Sequence, residues 1–314
     1  MDAAESEIGS GGGRLNQLAL VWQSARPPFL LLALVCAFLG LATAVYTLQA
    51  GMASVDYLLF LVVLVGAVAA HIAVNTLNEY LDFRSGLDNL TRRTPFSGGS
   101  GLLPRHPEVA EQVLHFSLAA IVLTCAIGIY LLFTHSEQLL PIGLAGVVII
   151  IAYTRWINRY PFICLIAPGV GFGLLMVVGT HLVMAGEYGQ PIWFAALIPF
   201  FLVNNLLLLN QYPDIEADRQ VGRNHFPIAF GTRISAYAYG AFLFAAMLVI
   251  IFAVVAGYFP IYSLAALLPL LAGVLPFRAA LLHGAQIGSH PQFLGMNVVV
   301  TLLTPLLLGV SLLV

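Results

Sequence analysis

Long hydrophobic runs separated by short polar segments dominate the chain from about residue 27 to its end. A helix needs about 20 largely apolar residues to cross the hydrocarbon core of a bilayer. Nine runs reach or approach that length, and the fourth is short. They lie at approximately 27–48, 56–78, 113–133, 138–154, 163–185, 191–209, 235–256, 260–282 and 292–314. The pattern predicts an all-α polytopic membrane protein, with nine transmembrane helices in one bundle.

Composition supports a lipid environment for most of the surface. Of the 314 residues, 60% are hydrophobic and only 8% are charged, whereas a soluble domain carries about 25% charged residues. A water-facing globular domain is therefore excluded. Residues 1–18 are polar and glycine-rich, so we expect a disordered N-terminal tail there and a single transmembrane domain over 19–314.

The arginines predict how the protein is oriented in the membrane. All twelve basic residues are Arg, and with nine spans every one of them falls on the same face. Positive charge stays on the cytoplasmic side of a membrane. We therefore expect a protein of the inner (cytoplasmic) membrane, with a cytoplasmic N-terminus and the C-terminus on the opposite side. Without a basic stripe, nothing indicates a nucleic-acid partner.

Two similar polar motifs follow the second and sixth runs. The chain reads Asn78-Glu79-Tyr80-Leu81-Asp82 at the first place and Asn210-Gln211-Tyr212-Pro213-Asp214 at the second. Each is followed by a further Asp, at positions 88 and 218, and then by Arg. The equal position of the motifs, four runs apart, predicts two pseudo-repeated four-helix units around a central cavity.

The spacing of these residues predicts chemistry at the cytoplasmic end of the bundle. Asp214 and Asp218 are four apart, so a continuing helix would place them on one face, while Gly86 is a plausible helix end before Asp88. Carboxylate and amide oxygens suit Mg²⁺, which accepts phosphate as a further ligand. The planar fork of Arg recognises phosphate. The residues of both motifs therefore fit a site that binds Mg²⁺ and a diphosphate.

At these residues the sequence resembles the UbiA superfamily of intramembrane prenyltransferases. The first motif resembles the pattern N-x-x-N-D-Y-x-D-x-x-x-G-x-D, which is typical of the dihydroxynaphthoate (menaquinone) branch, with Glu79 in place of its Asp. The second resembles D-x-x-x-D-x-x-x-G-[KR]-x-x-x-P. The matching positions are Asn75, Asn78, Tyr80, Asp82, Gly86 and Asp88, and then Asp214, Asp218, Gly222, Arg223 and Pro227. Residues 93–99, Arg-Thr-Pro-Phe-Ser-Gly-Gly, resemble a further family segment.

The resemblance implies Mg²⁺-dependent transfer of a polyprenyl group from an isoprenyl diphosphate to an aromatic, quinone-precursor-like acceptor within the membrane. It implies roles for several groups of residues. The metal would be held by Asp82, Asp88, Asp214 and Asp218, with Asn78 and Asn210 completing its shells. The outer phosphate oxygens would be bound by Arg93 and Arg223. The allylic cation would be stabilised by the ring of Tyr80, Tyr153 or Tyr212. Asn75 and Glu79 join the substrate-binding set, and Glu79 would reach metal through water.

Some alternatives remain open at this point. The acceptor could instead be 4-hydroxybenzoate, homogentisate, a chlorophyllide, haem or a glycerol phosphate, and an ion-coupled transporter or a silent isoprenoid-binding scaffold are the rival classes. Asn205, inside the sixth run, could face the acceptor or bond another helix. His71 lies two helical turns before Asn78 on the same face, which makes it a candidate for the cavity wall.

Overall fold

The computed structural model describes residues 17–49 and 51–314, and over these ranges the chain is helical with no strand. We label its nine main helices α1 to α9 in chain order. They are α1 Pro27–Thr47, α2 Tyr57–Ser85, α3 Pro107–Thr134, α4 Leu139–Ala152, α5 Pro161–Ala185, α6 Gln190–Asn210, α7 Phe226–Val255, α8 Ile261–Ser289 and α9 Pro291–Leu313. The tail predicted over 1–18 lies outside the described residues as far as residue 16, and residues 17–24 are helical.

Eight of the labelled helices are long and apolar enough to cross a bilayer, which makes the chain an integral membrane protein. Large apolar side chains cover their outer surfaces; Phe133 and Val255, for example, are more than 80% exposed. The exception is α4, whose 14 residues span roughly 21 Å at 1.5 Å per residue. That α4 is a ninth span therefore stays a prediction. The two four-helix units, which include α4 as a span, also stay a prediction.

Helices α1 and α6 are the most buried of the apolar helices, and α6 packs against α1, α5, α7 and α9. Its contact with α5 is especially close, since a side chain at Gly169 or Gly173 would overlap the α6 backbone at Phe200. Beside this contact the backbone N–H of Gly169 donates to Asn204 Oδ1 at 2.6 Å. These bonds and contacts fix α5 against the helix that carries the second motif.

Two helix boundaries differ from the predicted spans in a way that matters for the motifs. The second hydrophobic run ends near 78, but α2 continues to Ser85 and ends at Gly86, which has φ +80°. Polar residues 78–82 therefore lie on the last turns of a helix rather than in a loop. The other difference is at α7, which begins at Phe226 instead of 235 and is interrupted at Gly231, where φ is +78°.

Candidate active site

The four predicted carboxylates line one cavity of about 660 Å³ inside the bundle. Asp82 comes from the last turn of α2, and Asp88 from the short helix Leu87–Leu90 that follows Gly86. Asp214 precedes the helix Ile215–Gln220, and Asp218 lies one turn further on. The bond from the Asp218 N–H to the Asp214 carbonyl, 2.8 Å long, confirms the predicted helical turn between them. Two motifs 132 residues apart in sequence, counted from Asn78 to Asn210, thus meet at one end of the cavity.

Arg223 connects the two motifs directly. Its guanidinium donates to Asp82 Oδ1 and, at 2.9 Å, to Asp218 Oδ1. The second oxygen of Asp218 is bonded to His225 Nε2 at 2.9 Å. The structure therefore places Arg223 between two carboxylates, one from each motif.

Asn78 holds the Asp82 carboxylate in place. Its Nδ2 donates to Asp82 Oδ2 at 2.8 Å, and its Oδ1 accepts a bond of 2.9 Å from the hydroxyl of Thr154. Both ends of the amide are thus engaged. In this arrangement Asn78 orients a carboxylate and ties α2 to the segment after α4.

Three buried oxygens at the same end of the cavity have no hydrogen-bond partner within the described part of the chain: Asp88 Oδ2, Asp214 Oδ1 and Asn210 Oδ1. Buried polar atoms are normally satisfied, so unpartnered oxygens that border a cavity indicate a ligand. All three belong to the donor types that Mg²⁺ prefers.

The environment of the Asp88 and Asp214 carboxyl groups disfavours their charge. Burial raises the pKa of Asp88 to about 7, and the nearby carboxylates of Glu79 and Asp82 act in the same direction. Burial likewise raises the pKa of Asp214 to about 7, aided by Asp218 and opposed by the Gly98 N–H. A divalent cation at this place would remove the repulsion among these groups.

The residues present fit a Mg²⁺ ion, although no group of three or more His, Cys, Asp or Glu side chains over 17–49 and 51–314 is already arranged around one. The reason is visible in the bonding pattern. Arg223 occupies one oxygen each of Asp82 and Asp218, while Asp88 Oδ2, Asp214 Oδ1 and Asn210 Oδ1 have no partner in the described residues. The carboxylate and amide oxygens that Mg²⁺ prefers are present, but the guanidinium of Arg223 holds two of them.

Several other predicted residues lie around this centre. Tyr153 and Asn75 line the cavity, and Asn75 also donates to the Ala25 carbonyl at 3.0 Å. Glu79 is buried and accepts bonds from the backbone N–H and hydroxyl of Ser100, so its carboxylate holds a loop. Arg93 donates to the carbonyls of Gly98 and Asp88. Neither Glu79 nor Arg93 borders the cavity.

Three further predicted residues are not brought to the cavity. Tyr212 is fully buried, and its hydroxyl donates to the Thr232 carbonyl at 2.8 Å. Tyr80 packs in a separate apolar cluster. Asn205 donates to the Tyr239 carbonyl at 3.0 Å, which favours the interhelical role over the acceptor role. A shared position in the N-x-Y-x-D motif therefore does not give the two tyrosines access to substrate.

Sequence reasoning missed Arg26, which lines the cavity just before α1 and has φ +54°. Its guanidinium is attracted to four carboxylates: Glu79, Asp82, Asp88 and Asp214. A lone Arg before an apolar run is an ordinary membrane anchor, so its position alone gave no signal. Asn158 and Gln211 also line the cavity; Gln211 lies inside the second motif, which was the available clue.

Comparisons with known proteins agree with this geometry. The sequence pattern of the UbiA prenyltransferase family matches residues 33–299. A 1,4-dihydroxy-2-naphthoate octaprenyltransferase from Bacillus subtilis is 30% identical over 215 residues. The aligned part covers 68% of this chain and 66% of that relative, just under two thirds of its length.

Solved structures share the fold at low sequence identity. The apo structure of a UbiA homologue from Aeropyrum pernix K1 has a TM-score of 0.69 and 17% identity, covering 90% of this chain and 96% of that one. A UbiA homologue from Archaeoglobus fulgidus, bound to GPP and Mg²⁺, has a TM-score of 0.61 and 15% identity, covering 94% and 99%. At these identities the likeness establishes the fold.

Proposed function

The chain belongs to the UbiA prenyltransferase family, and we propose that it transfers a polyprenyl group from an isoprenyl diphosphate to an aromatic acceptor within the membrane. The observation that carries this proposal is one cavity with two different ends. Carboxylates of both motifs border one end, and helix side chains such as Val63, Leu131 and Val183 border the other. A substrate with an anionic head and a hydrocarbon tail matches that division.

At the polar end, we assign Mg²⁺ binding to Asp82, Asp88, Asp214 and Asp218, with Asn210 as an amide donor. A bound Mg²⁺ would supply neutralisation of the charge that develops on the leaving diphosphate. The unpartnered oxygens of Asp88, Asp214 and Asn210 support this assignment. Asn78 would act by orienting Asp82, because both of its amide ends are already bonded.

We assign Arg223 and Arg26 to the phosphate oxygens. Arg26 borders the cavity and has no carboxylate within ion-pair distance in the described residues. Arg223 would release one of its two carboxylates as the diphosphate and its cation arrive, since the carboxylate then gains a metal partner. This exchange keeps every buried charge paired, which a low-dielectric site requires.

The apolar part of the cavity would hold the prenyl chain and exclude water from the allylic cation. Its walls come from α2, α3, α4 and α5 and include several glycines. Tyr153 is the tyrosine among the three predicted ones that borders the cavity, so we assign cation stabilisation to its ring.

For the acceptor we propose a 1,4-dihydroxy-2-naphthoate-like ring, as in a menaquinone-type pathway. Support comes from the form of the first motif and from the name of the Bacillus subtilis relative. The proposal includes nine spans in two four-helix units, with the N-terminus in the cytoplasm. Location in the inner membrane belongs to the same proposal.

A prenyl-transfer assay on the purified protein tests this function. Geranylgeranyl diphosphate would be offered with dihydroxynaphthoate, 4-hydroxybenzoate or homogentisate, with Mg²⁺ and then with EDTA. We expect a prenylated naphthoate whose formation stops with EDTA and with the Asp82→Ala variant. Diphosphate release without a prenylated product would refute the choice of acceptor, and no reaction from folded protein would refute the proposed transfer.

A further inference from the structure

One face of α2 borders the cavity and changes from polar to apolar along the helix. His71, Asn75, Asn78 and Asp82 recur at helical spacing, and all four border the cavity. Beyond His71, towards the start of the helix, the bordering residues are apolar: Val63, Gly66, Ala67 and Ala70. His71 is thus the deepest polar side chain on this face, at the change from polar to hydrocarbon lining.

His71 has no hydrogen-bond partner in the described part of the chain, although its side chain is only 6% exposed. Its Nδ1 is enclosed and unpaired. The ring packs edge-on against Phe172, with centroids 4.7 Å apart. Leaving the buried Nδ1 without a partner costs free energy. An external polar group that enters the cavity would recover it.

A second buried histidine in the spans provides the contrast. His181 is fully buried, and its Nδ1 is bonded to the Thr43 hydroxyl at 3.0 Å. Its Nε2 accepts from the Gly189 N–H at 3.4 Å. His181 does not border the cavity. Of these two histidines, the one with bonded nitrogens is in the packed interior, and the one with an unpaired Nδ1 borders the cavity.

The depth of His71 fits an aromatic substrate. Asp82 lies eleven positions further along α2, or roughly 16 Å along the helix axis. A diphosphate bound at the carboxylates, its allylic carbon and one ring system fit into such a length. The neighbouring wall includes the apolar Pro168, Phe172 and Gly171, and the cavity-lining Arg26 is near enough for its charge to act on the His71 ring. The space beside Gly171 is open, since a methyl group added there would meet no other side chain within 4 Å.

We propose that His71 binds a ring hydroxyl of the aromatic acceptor and so sets which ring carbon faces the allylic carbon. This inference rests on the proposed function. One nitrogen of a neutral imidazole can accept a hydrogen bond from the hydroxyl, and the other can donate one. No residue of the carboxylate centre takes part in this contact. His71 would therefore determine acceptor recognition and leave binding of the diphosphate substrate unchanged.

The test compares His71→Phe with His181→Phe in steady-state assays that vary geranylgeranyl diphosphate and 1,4-dihydroxy-2-naphthoate separately. Phe keeps the edge contact with Phe172 and removes both nitrogens. We expect His71→Phe to raise the KM for the naphthoate about tenfold without changing the KM for the diphosphate. His181→Phe should lower the thermal midpoint and leave both KM values as in the wild type. His71→Gln, which restores a hydrogen-bonding group, should recover part of the loss.

An O-methylated naphthoate separates recognition from packing. The wild type should discriminate against the methyl ether, and His71→Phe should lose that discrimination, because the hydroxyl no longer has its partner. Equal naphthoate KM values for the wild type and both His71 variants would overturn the inference alone. If the wild type neither prenylates nor binds the naphthoate, the proposed acceptor and this inference both fail.

Discussion

Asp214 is the residue whose replacement best separates chemistry from folding. Its Oδ1 is buried without a partner in the described residues, so the charged form costs stability in the protein without metal. Asp214→Asn keeps the shape and removes the charge. We expect turnover to fall at least about a hundredfold, while the thermal midpoint stays the same or rises. Turnover and thermal unfolding of the same detergent preparation check this.

Asp56→Asn is the matched control. Asp56 precedes α2 at the end opposite the carboxylates, and its Oδ1 accepts from the Leu59 N–H at 2.9 Å. Asn caps a helix as well as Asp does, so Asp56→Asn should leave both stability and turnover nearly unchanged. An Asp214→Asn enzyme with wild-type turnover would remove Asp214 from the metal site.

Metal binding should depend on pH because two candidate ligands hold protons unusually tightly. Burial raises the pKa of both Asp88 and Asp214 to about 7. Below that pH they are largely protonated and Mg²⁺ must displace the protons; above it they are ionised and binding has no such cost. We therefore expect Mg²⁺ affinity to increase from pH 6 to pH 8, with proton release at the lower pH. Calorimetry in buffers of different ionisation enthalpy measures both quantities, and an affinity that is flat over this range would contradict the assignment.

Single residues also show where sequence reasoning reaches its limit. The repeated N-x-Y-x-D motif and the further Asp after each copy single out the four aspartates that the structure brings to one cavity, because a carboxylate near a membrane boundary needs a partner. The motif gave no reason to prefer Tyr153, which lies outside it and borders the cavity, to Tyr212, whose hydroxyl donates to the Thr232 carbonyl. Nor could it show that Arg223 joins Asp82 to Asp218, since partner choice depends on how the helices pack.

Among the structural elements, the loop over residues 94–101 depends on Glu79. Ser97, Gly98 and Gly99 border the cavity, and a side chain on Gly99 would come within 3.1 Å of Asp88 Oδ1. Glu79 fixes this loop through its two bonds to Ser100. We expect Glu79→Ala to raise the KM for the isoprenyl diphosphate and to increase proteolysis within the loop. Kinetics and limited proteolysis measure the two effects.

Glu111→Ala, an exposed change on α3, is the control for Glu79→Ala and should affect neither measurement. Loss of Mg²⁺ affinity as large as that of Asp214→Asn would contradict a loop-holding role, because it would make Glu79 a metal ligand.

Helix boundaries illustrate the same limit at the scale of elements. Hydropathy ends the second span near residue 78 because Asn78, Glu79 and Asp82 are polar. The helix nevertheless continues to Ser85, since Asn78 and Asp82 bond each other one turn apart and Glu79 bonds Ser100. Polar residues ended the hydrophobic run without ending the helix. The spans themselves were predictable, because only apolar surface suits lipid.

For the whole molecule, the contact between the two motifs constrains the topology. Asp82 at the end of α2 pairs with Arg223, which follows α6, so both must lie at the same face of the membrane. An even number of crossings must therefore separate them, and the helices between are α3, α4, α5 and α6. If α4, with 14 residues, failed to cross, only three crossings would remain. The pairing thus favours a crossing α4 despite its length, with local thinning of the bilayer.

We therefore expect nine crossings, with all twelve arginines on the cytoplasmic face and the C-terminus on the other. Reporter fusions test this. Alkaline phosphatase, active only outside the cytoplasm, should be active after Val314 and in the connection between α3 and α4, but inactive after Arg159. Green fluorescent protein, which folds in the cytoplasm, should give the opposite pattern. A cytoplasmic C-terminus would mean an even number of spans; the arginines would then divide between the two faces, and the positive-charge rule could not explain the orientation.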